Sequence, residues 1–218
     1  MKIENIQCYG WESAIRGMRN PLNSWDRSDS TFENGIPALG PNDLRLATNL
    51  VKAGPEHGKW LRQVFVSMDI TAPMYWWSEF DTYKVGTVAN STSKMHKLAS
   101  TPITIDCFET DDMVPGLTVY GDVRSDRPYD IQELYEYIIS TCNTLQDIYN
   151  QTHDIRYWKE LLRILPESWL QTRTWTANYA VLRAMYHQRT GHKLTEWKTF
   201  LDTVTEQLPY SKEFIVDN

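Results

Sequence analysis

The sequence predicts a mixed α+β domain, and three stretches carry that expectation. Val64 to Thr71 reads Val-Phe-Val-Ser-Met-Asp-Ile-Thr, β-branched and aromatic with partial alternation, which is the pattern of a strand. Ile131, Leu134, Tyr135, Ile138, Cys142, Leu145 and Ile148 trace one apolar stripe of about five turns, the pattern of a long amphipathic helix. Helical spacing then continues over 154–164, roughly 168–190 and 193–207. No internal repeat, low-complexity segment or clear linker interrupts the chain, so residues 1–218 are expected to form a single domain with a sizeable core.

Taken in order, Lys2 to Cys8 is short and alternating enough for a strand, and Trp11, Ile15 and Met18 follow at helical spacing. Residues 19 to 41 are rich in Asn, Ser, Asp, Gly and Pro and read as a long loop, a length that usually serves function or motion. Asn42 to Ala53 forms a helix with Leu44, Ala47, Leu50 and Val51 on one face, ended by Gly54-Pro55. Pro73 begins an apolar segment, Met74-Tyr75-Trp76-Trp77, where proline suits a first helical turn. Residues 99 to 128 are irregular, with a hairpin expected around Gly116 and Gly121.

Composition excludes several classes. Hydrophobic residues are 41% and charged residues 23%, which is globular rather than disordered. The net charge is −6 with no Lys/Arg run, which argues against broad nucleic-acid binding but leaves room for a local basic pocket. Cys8, Cys107 and Cys142 are odd in number and lack CxxC spacing, so neither a disulfide framework nor a zinc site is expected. Glu109, Asp111 and Asp112 have no ligand-spaced His and read as a solvated loop, not a metal site. No apolar run approaches the ~20 residues that span a bilayer, and Met1-Lys2-Ile3-Glu4 opens no signal region, so a reduced cytoplasmic protein is expected. Nine Trp and twelve Tyr suit a core and a subunit interface, or a stacking platform for a planar ligand.

No Gly-rich loop precedes a helix and no Cys–His pairing suggests a nucleophile. The chemistry-bearing residues concentrate near the helix ending at Thr190-Gly191. Residues eleven apart on a helix differ by about 20° around the axis. Asn178 and Arg189 are so spaced, with Leu182, Met185 and Tyr186 between them. A polar residue at each end of an apolar stripe needs a partner, either another polar group or a ligand. For Arg189 the two readings are a salt bridge at a helix C-terminus and a ligand contact.

The run Leu165-Pro166, Thr172, Asn178, Arg189 and His192-Lys193-Leu194-Thr195-Glu196-Trp197 resembles the C-terminal pattern of flavin-dependent thymidylate synthases, as does the tail Leu208-Pro209-Tyr210 with Glu213-Phe214. Val64 to Pro73 is similar to that family's strand ending in Ala-Pro, here Ala72-Pro73. The family signature is Arg-His-Arg, seven or eight residues, then Ser; here Thr82-Tyr83-Lys84 is followed by eight residues and Ser93. The resemblance implies an α+β fold with a mainly antiparallel sheet and a C-terminal helical bundle, and a homotetramer with shared sites. It also implies FAD as cofactor, with folate supplying a methylene group to dUMP and reduced flavin supplying hydride. Residue by residue it implies flavin contacts from Ser24, Lys84, Asn90, Asn178 and His192, and nucleotide contacts from Ser93 and Arg189.

The departures bear on chemistry. Thr82 and Tyr83 replace the first Arg and the His of the signature, Ser91 replaces a Glu, and Met95-His96 replaces an Arg-Tyr pair. Lys59 to Gln63 reads Lys-Trp-Leu-Arg-Gln, where the family has a Thr-x-x-x-Glu-His stretch. Lys84 keeps charge but loses the planar fork that grips phosphate. A charge-assisted hydrogen bond contributes about 1.5–3 kcal/mol, so two lost arginines cost roughly 3–6 kcal/mol of nucleotide binding unless other cations substitute. Lys94, Lys97, Arg173 and Arg183 are the candidates. Two function classes follow: a divergent flavoenzyme acting on a pyrimidine nucleotide, and a paralogue of the same fold that binds another ligand or none.

Overall fold

A computed structural model describes residues 1–93, 98–114, 116–119 and 129–217. Lys94, Met95, His96, Lys97 and Gly121, which the sequence reading singled out, lie outside the described residues. In chain order the elements are β1 (Lys2–Tyr9), α1 (Trp11–Arg19), β2 (Thr31–Glu33), β3 (Ile36–Ala38), α2 (Pro41–Lys52), β4 (Phe65–Pro73), α3 (Met74–Phe80) and β5 (Val88–Ser91). They continue as β6 (Thr118–Val119), β7 (Tyr129–Asp130), α4 (Ile131–Thr152), α5 (Ile155–Ile164), β8 (Leu170–Asn178), α6 (Tyr179–Arg189) and α7 (Thr195–Gln207). The chain forms two compact units: Met1–Thr71 with Glu79–Asn90 and Arg173–Asn218, and Ala72–Ser78 with Ser91–Thr172.

The first unit is organised by a sheet of order β1-β4-β8-β5. β1 and β4 pair antiparallel, Lys2 opposite Thr71 and Tyr9 opposite Phe65, with a bulge between Glu4 and Gln7. Asn5 takes up the bulge at φ 53°, a conformation asparagine tolerates better than most residues. The inner face of β4 presents Val66, Met68 and Ile70, each almost wholly buried. Its outer face is polar, and Asp69 accepts hydrogen bonds from Asn5 (2.7 Å) on β1 and Thr174 (2.6 Å) on β8. Alternation along one strand thus separates a core face from a polar face.

The expected helix over 168–190 is a correction. Residues 170–178 form strand β8, and α6 begins only at Tyr179. Gln171, Trp175 and Ala177 are buried while Thr174 is exposed, so the Thr-x-Thr-x-Thr run is period-two patterning that helical spacing missed. Asn178 caps α6, its Oδ1 accepting from Val181 N at 3.1 Å.

Aromatic packing fills the first unit on both sides. Trp11 meets Tyr179 at 5.2 Å and Trp60 meets Phe214 at 5.0 Å, each edge-to-face. Phe80, Trp175, Trp197 and Phe200 form a second cluster, with Phe80 5.0 Å from Trp175. Residues 19–41 are not one open loop: β2 and β3 pair antiparallel, and short 3₁₀ turns run over Asn20–Leu22 and Trp25–Arg27. A buried ion pair ties this segment down. Arg19 Nε donates to Asp43 Oδ1 at 2.6 Å, with the two residues 4% and 0% exposed. Asp43 Oδ2 accepts from the hydroxyls of Ser28 and Ser30 and from the backbone N–H groups of Asp29 and Ser30.

In the second unit α4 and α5 pack around Leu98, Ile103, Phe108, Cys142 and Leu161. Asn143, Gln146 and Asn150 lie along one side of α4 and tie down the irregular stretch. Asn143 Nδ2 donates to the Ile103 carbonyl, Gln146 Nε2 to those of Leu98 and Thr101, and Asn150 Nδ2 to that of Ala99. Asp130 caps α4, accepting from the N–H groups of Gln132 and Glu133. Thr118–Val119 pairs with Tyr129–Asp130, giving a strand pair just beyond Gly116. In the acidic stretch, Glu109 accepts from Tyr75 Oη and from the Asp111 backbone N–H. Among the described residues no helix is long and apolar enough to cross a membrane.

Asp43 supplies a stability test. Burial raises its pKa, but hydrogen bonds from Ser30, Ser28 and Arg19 outweigh that and hold the carboxyl below its usual value. A depressed folded-state pKa stabilises the fold above the unfolded value near ~3.9 and loses that contribution as pH falls through the folded value. Asp43→Ala should cost about 3–5 kcal/mol at neutral pH, since it strands a buried arginine. Its deficit relative to the parent should shrink below about pH 4, as read by urea melts across pH. A deficit that stays constant down to pH 2 contradicts the assignment.

Candidate functional site

In the first unit a cavity of about 620 Å³ opens beside the N-terminal end of α6. Its floor is apolar, from Ala180, Val181 and Ala184, with Val85 at the side. Its polar edge is Arg62, Tyr83, Lys84, Asn178, Gln188 and Arg189, and among the described residues no carboxylate lines it. Each element brings its residues there for a local reason. Arg62 lies in the 3₁₀ turn Gly58–Gln63, between Leu61 and Val64, which are buried. The Tyr179 N–H donates to the Val64 carbonyl at 3.0 Å, seating that turn against the start of α6. Gly86, at φ 75°, lets the 82–87 loop lie close over the helix end, since a Cβ there would stand 3.2 Å from Asn178 Nδ2.

Beside the cavity, one carboxylate oxygen organises five side chains. Glu79 Oε2 accepts from Arg189 Nη1 at 2.9 Å and Trp197 Nε1 at 3.2 Å. His192 Nε2 lies 3.3 Å from the same atom. Because His192 Nδ1 accepts from the Leu194 N–H, the proton of the neutral ring is on Nε2, facing Glu79. The Arg189 guanidinium also stacks over Trp197, 4.7 Å from the ring centroid, and its Nε donates to Tyr83 Oη at 3.0 Å. Tyr83 Oη in turn donates to Gln188 Oε1 at 2.9 Å.

The seven residues that the resemblance named are distributed unequally. Lys84, Asn178 and Arg189 line the cavity together. His192 stands beside Glu79, its Nδ1 accepting from the Leu194 N–H and its Nε2 3.3 Å from Glu79 Oε2. Ser24 serves the buried ion pair, its carbonyl accepting from Arg19 Nη1 at 3.1 Å. Asn90 is exposed on β5, and Ser93 belongs to the second unit. Arg189 forms the salt bridge of the first reading, with Glu79, and it also lines the cavity. Asn178 and Arg189 do flank one helix, but as its cap and its last residue rather than as two positions within it. Arg173 pairs with Asp81 at 2.7 Å, and Arg183 donates to the carbonyls of Phe214 and Asp217, so neither substitutes for the missing arginines. Sequence reasoning passed over Glu79 and Arg62. The available signal was an acid, Glu79, at the end of the aromatic run Met74–Phe80.

The fold is that of the flavin-dependent thymidylate synthases. The chain aligns with ThyX of Helicobacter pylori complexed with FAD and dUMP at TM-score 0.66 and 15% identity, covering 100% of this chain and 98% of the other. A second Helicobacter pylori ThyX structure with FAD and dUMP gives TM-score 0.67 at 15% identity, over 100% and 97%. A UMP/dUMP methylase, PolB from Streptomyces cacaoi bound with 5-Br dUMP, aligns at TM-score 0.51 and 16% identity, over 84% of this chain and 75% of that one. No protein-family model and no curated protein matches the sequence.

The Glu79 network predicts coupled stability effects. Arg189→Ala and Glu79→Ala should each cost about 1–2 kcal/mol, since the side chains are partly exposed and the bonds charge-assisted. In a chain of this size that corresponds to a fall of roughly 2–8 °C in melting temperature. The double variant should lose clearly less than the sum, because either change removes the shared contact. Strict additivity in thermal melts would show that the pair is not coupled.

Proposed function

We propose that this chain is a divergent flavin-dependent thymidylate synthase-like protein that binds a pyrimidine nucleoside monophosphate such as dUMP. The observation that carries the reading is the cavity beside α6, which gathers Arg62, Lys84 and Arg189 with no lining carboxylate among the described residues, in a chain of net charge −6. A cationic edge over an apolar floor suits a ligand with a phosphate at one end and a planar ring at the other. The fold shared with FAD- and dUMP-bound ThyX points to the same ligand class.

The donor set also fits FAD. Lys84 offers an ammonium, and Asn178, whose oxygen is committed to the helix cap, offers its Nδ2 to the cavity side. Those two residues would hold the cofactor, and a bound reduced flavin would supply hydride for reducing a nucleotide that has received a methylene group from folate. The chain's own residues bind and orient: Lys84 and Arg62 attract the anionic end, and Ala180, Val181 and Ala184 exclude water beneath the ring. Ser93 and Arg189 are each kept as nucleotide residues by the resemblance, Arg189 in a supporting role because Glu79 and Tyr83 hold two of its nitrogens. A homotetramer with shared sites and a cytoplasmic location belong to the same reading.

A second reading has its own observation. Glu79 occupies Arg189 and His192, and Arg19 occupies Ser24, so three residues that the resemblance assigns to ligands are bonded internally. That favours a repurposed paralogue of the same fold that binds another ligand. One titration separates the readings. Under the first, added FAD should give a saturable quench of flavin or Trp fluorescence, dUMP should raise the melting temperature, and light scattering should report four chains per particle. No quench at high micromolar FAD together with no stabilisation by dUMP would establish the second.

A further inference from the structure

We infer that Arg62, with Lys84, is the principal phosphate-recognising pair of this cavity, and that Arg189, held by Glu79 and Tyr83, is secondary to them. The inference rests on the nucleotide reading above and assigns its anion-binding edge. Arg189 has two of its three nitrogens engaged, by Glu79 and Tyr83, and its face covered by Trp197. Glu79 moreover neutralises most of its charge toward the cavity. Arg62 and Lys84 are exposed, line the same cavity, and have no side-chain hydrogen-bond or ion-pair partner among the described residues. Two cations lining one cavity, with no carboxylate in its lining among the described residues, give it a positive potential that favours an anion, and the apolar residues beside them strengthen that attraction.

Arg62 is held ready for this. Its neighbours Leu61 and Val64 are buried, and the Val64 carbonyl is bonded to the first residue of α6, so the backbone beneath the guanidinium is anchored while the side chain is not. The planar fork that Lys84 lacks is then supplied from a different part of the chain, the 3₁₀ turn before β4. The ligand class is an organic phosphate monoester presenting two or more free oxygens to a fork and a point charge.

Calorimetric titrations of the parent, Arg62→Gln, Arg62→Lys, Lys84→Gln and Arg189→Gln with dUMP, deoxyuridine and inorganic pyrophosphate test the assignment. Arg62→Gln and Lys84→Gln should each weaken dUMP about ten- to a hundredfold with unchanged melting temperature, and Arg62→Lys should recover only part. Deoxyuridine, without the phosphate, should be insensitive to both. Arg189→Gln should lower the melting temperature while weakening dUMP less than Arg62→Gln does. If Arg62→Gln binds dUMP as the parent does, the assignment is overturned while the nucleotide reading stands. If the parent binds pyrophosphate in an Arg62-dependent way but not dUMP, the anion pair stands and the pyrimidine reading fails. Binding of neither ligand by the parent overturns both.

Discussion

The carboxylate of Glu79 is the constraint on which the site depends. One oxygen accepts from an arginine and an indole N–H and lies 3.3 Å from an imidazole nitrogen, all on residues 110 or more positions away in sequence. A carboxylate half-buried beside aromatic rings gains from such partners. The arrangement therefore sets the direction of Arg189, the tautomer of His192 and the position of Trp197 together. Tyr83 extends the network to Gln188 and so fixes one wall of the cavity. The chemistry left to a ligand is what this network does not consume.

That division explains how one fold accommodates an eroded signature. Where the resemblance expects an Arg-His-Arg grip on anions, Tyr83 supplies a hydroxyl that bonds Arg189 inside the protein. Positive charge is not abolished but relocated, since Arg62 enters the same cavity from the turn before β4. The scaffold beneath needs none of these residues: β4 and β8 are held by buried Val66, Met68, Ile70 and Trp175, and the N-terminal segment by the Arg19–Asp43 pair. Site residues can change over such a core at small cost to the fold.

Elements with one strong local pattern were legible in the sequence. β4 follows from β-branched alternation, α4 from its seven-residue stripe, and α2 from an apolar face ended by Gly54-Pro55. The 168–190 segment was misread because Thr172, Thr174 and Thr176 alternate across a strand that runs without a turn into α6, and Asn178 is the only cap signal between them. The ordering of residues 19–41 was missed for another reason. A Ser- and Asp-rich segment reads as loop, yet Asp43 gathers Ser28, Ser30 and Arg19 about one buried carboxylate, a convergence with no local periodicity.

The sequence alone therefore determined the α+β character, the strand at Val64–Thr71 and the long helix after residue 130, and its family resemblance singled out Lys84, Asn178 and Arg189, which line one cavity. Periodicity and turn chemistry act over a few residues, and a linear pattern records them directly. Only the tertiary structure decided that Asn178 is a cap, that Arg189 answers to Glu79, and that Arg62 joins the cavity. The cap is local but appears only once β8 is seen to end at Asn178, whereas the Arg189–Glu79 pair and the placing of Arg62 join residues more than a hundred positions apart, set by strand order and by the need of polar groups for partners.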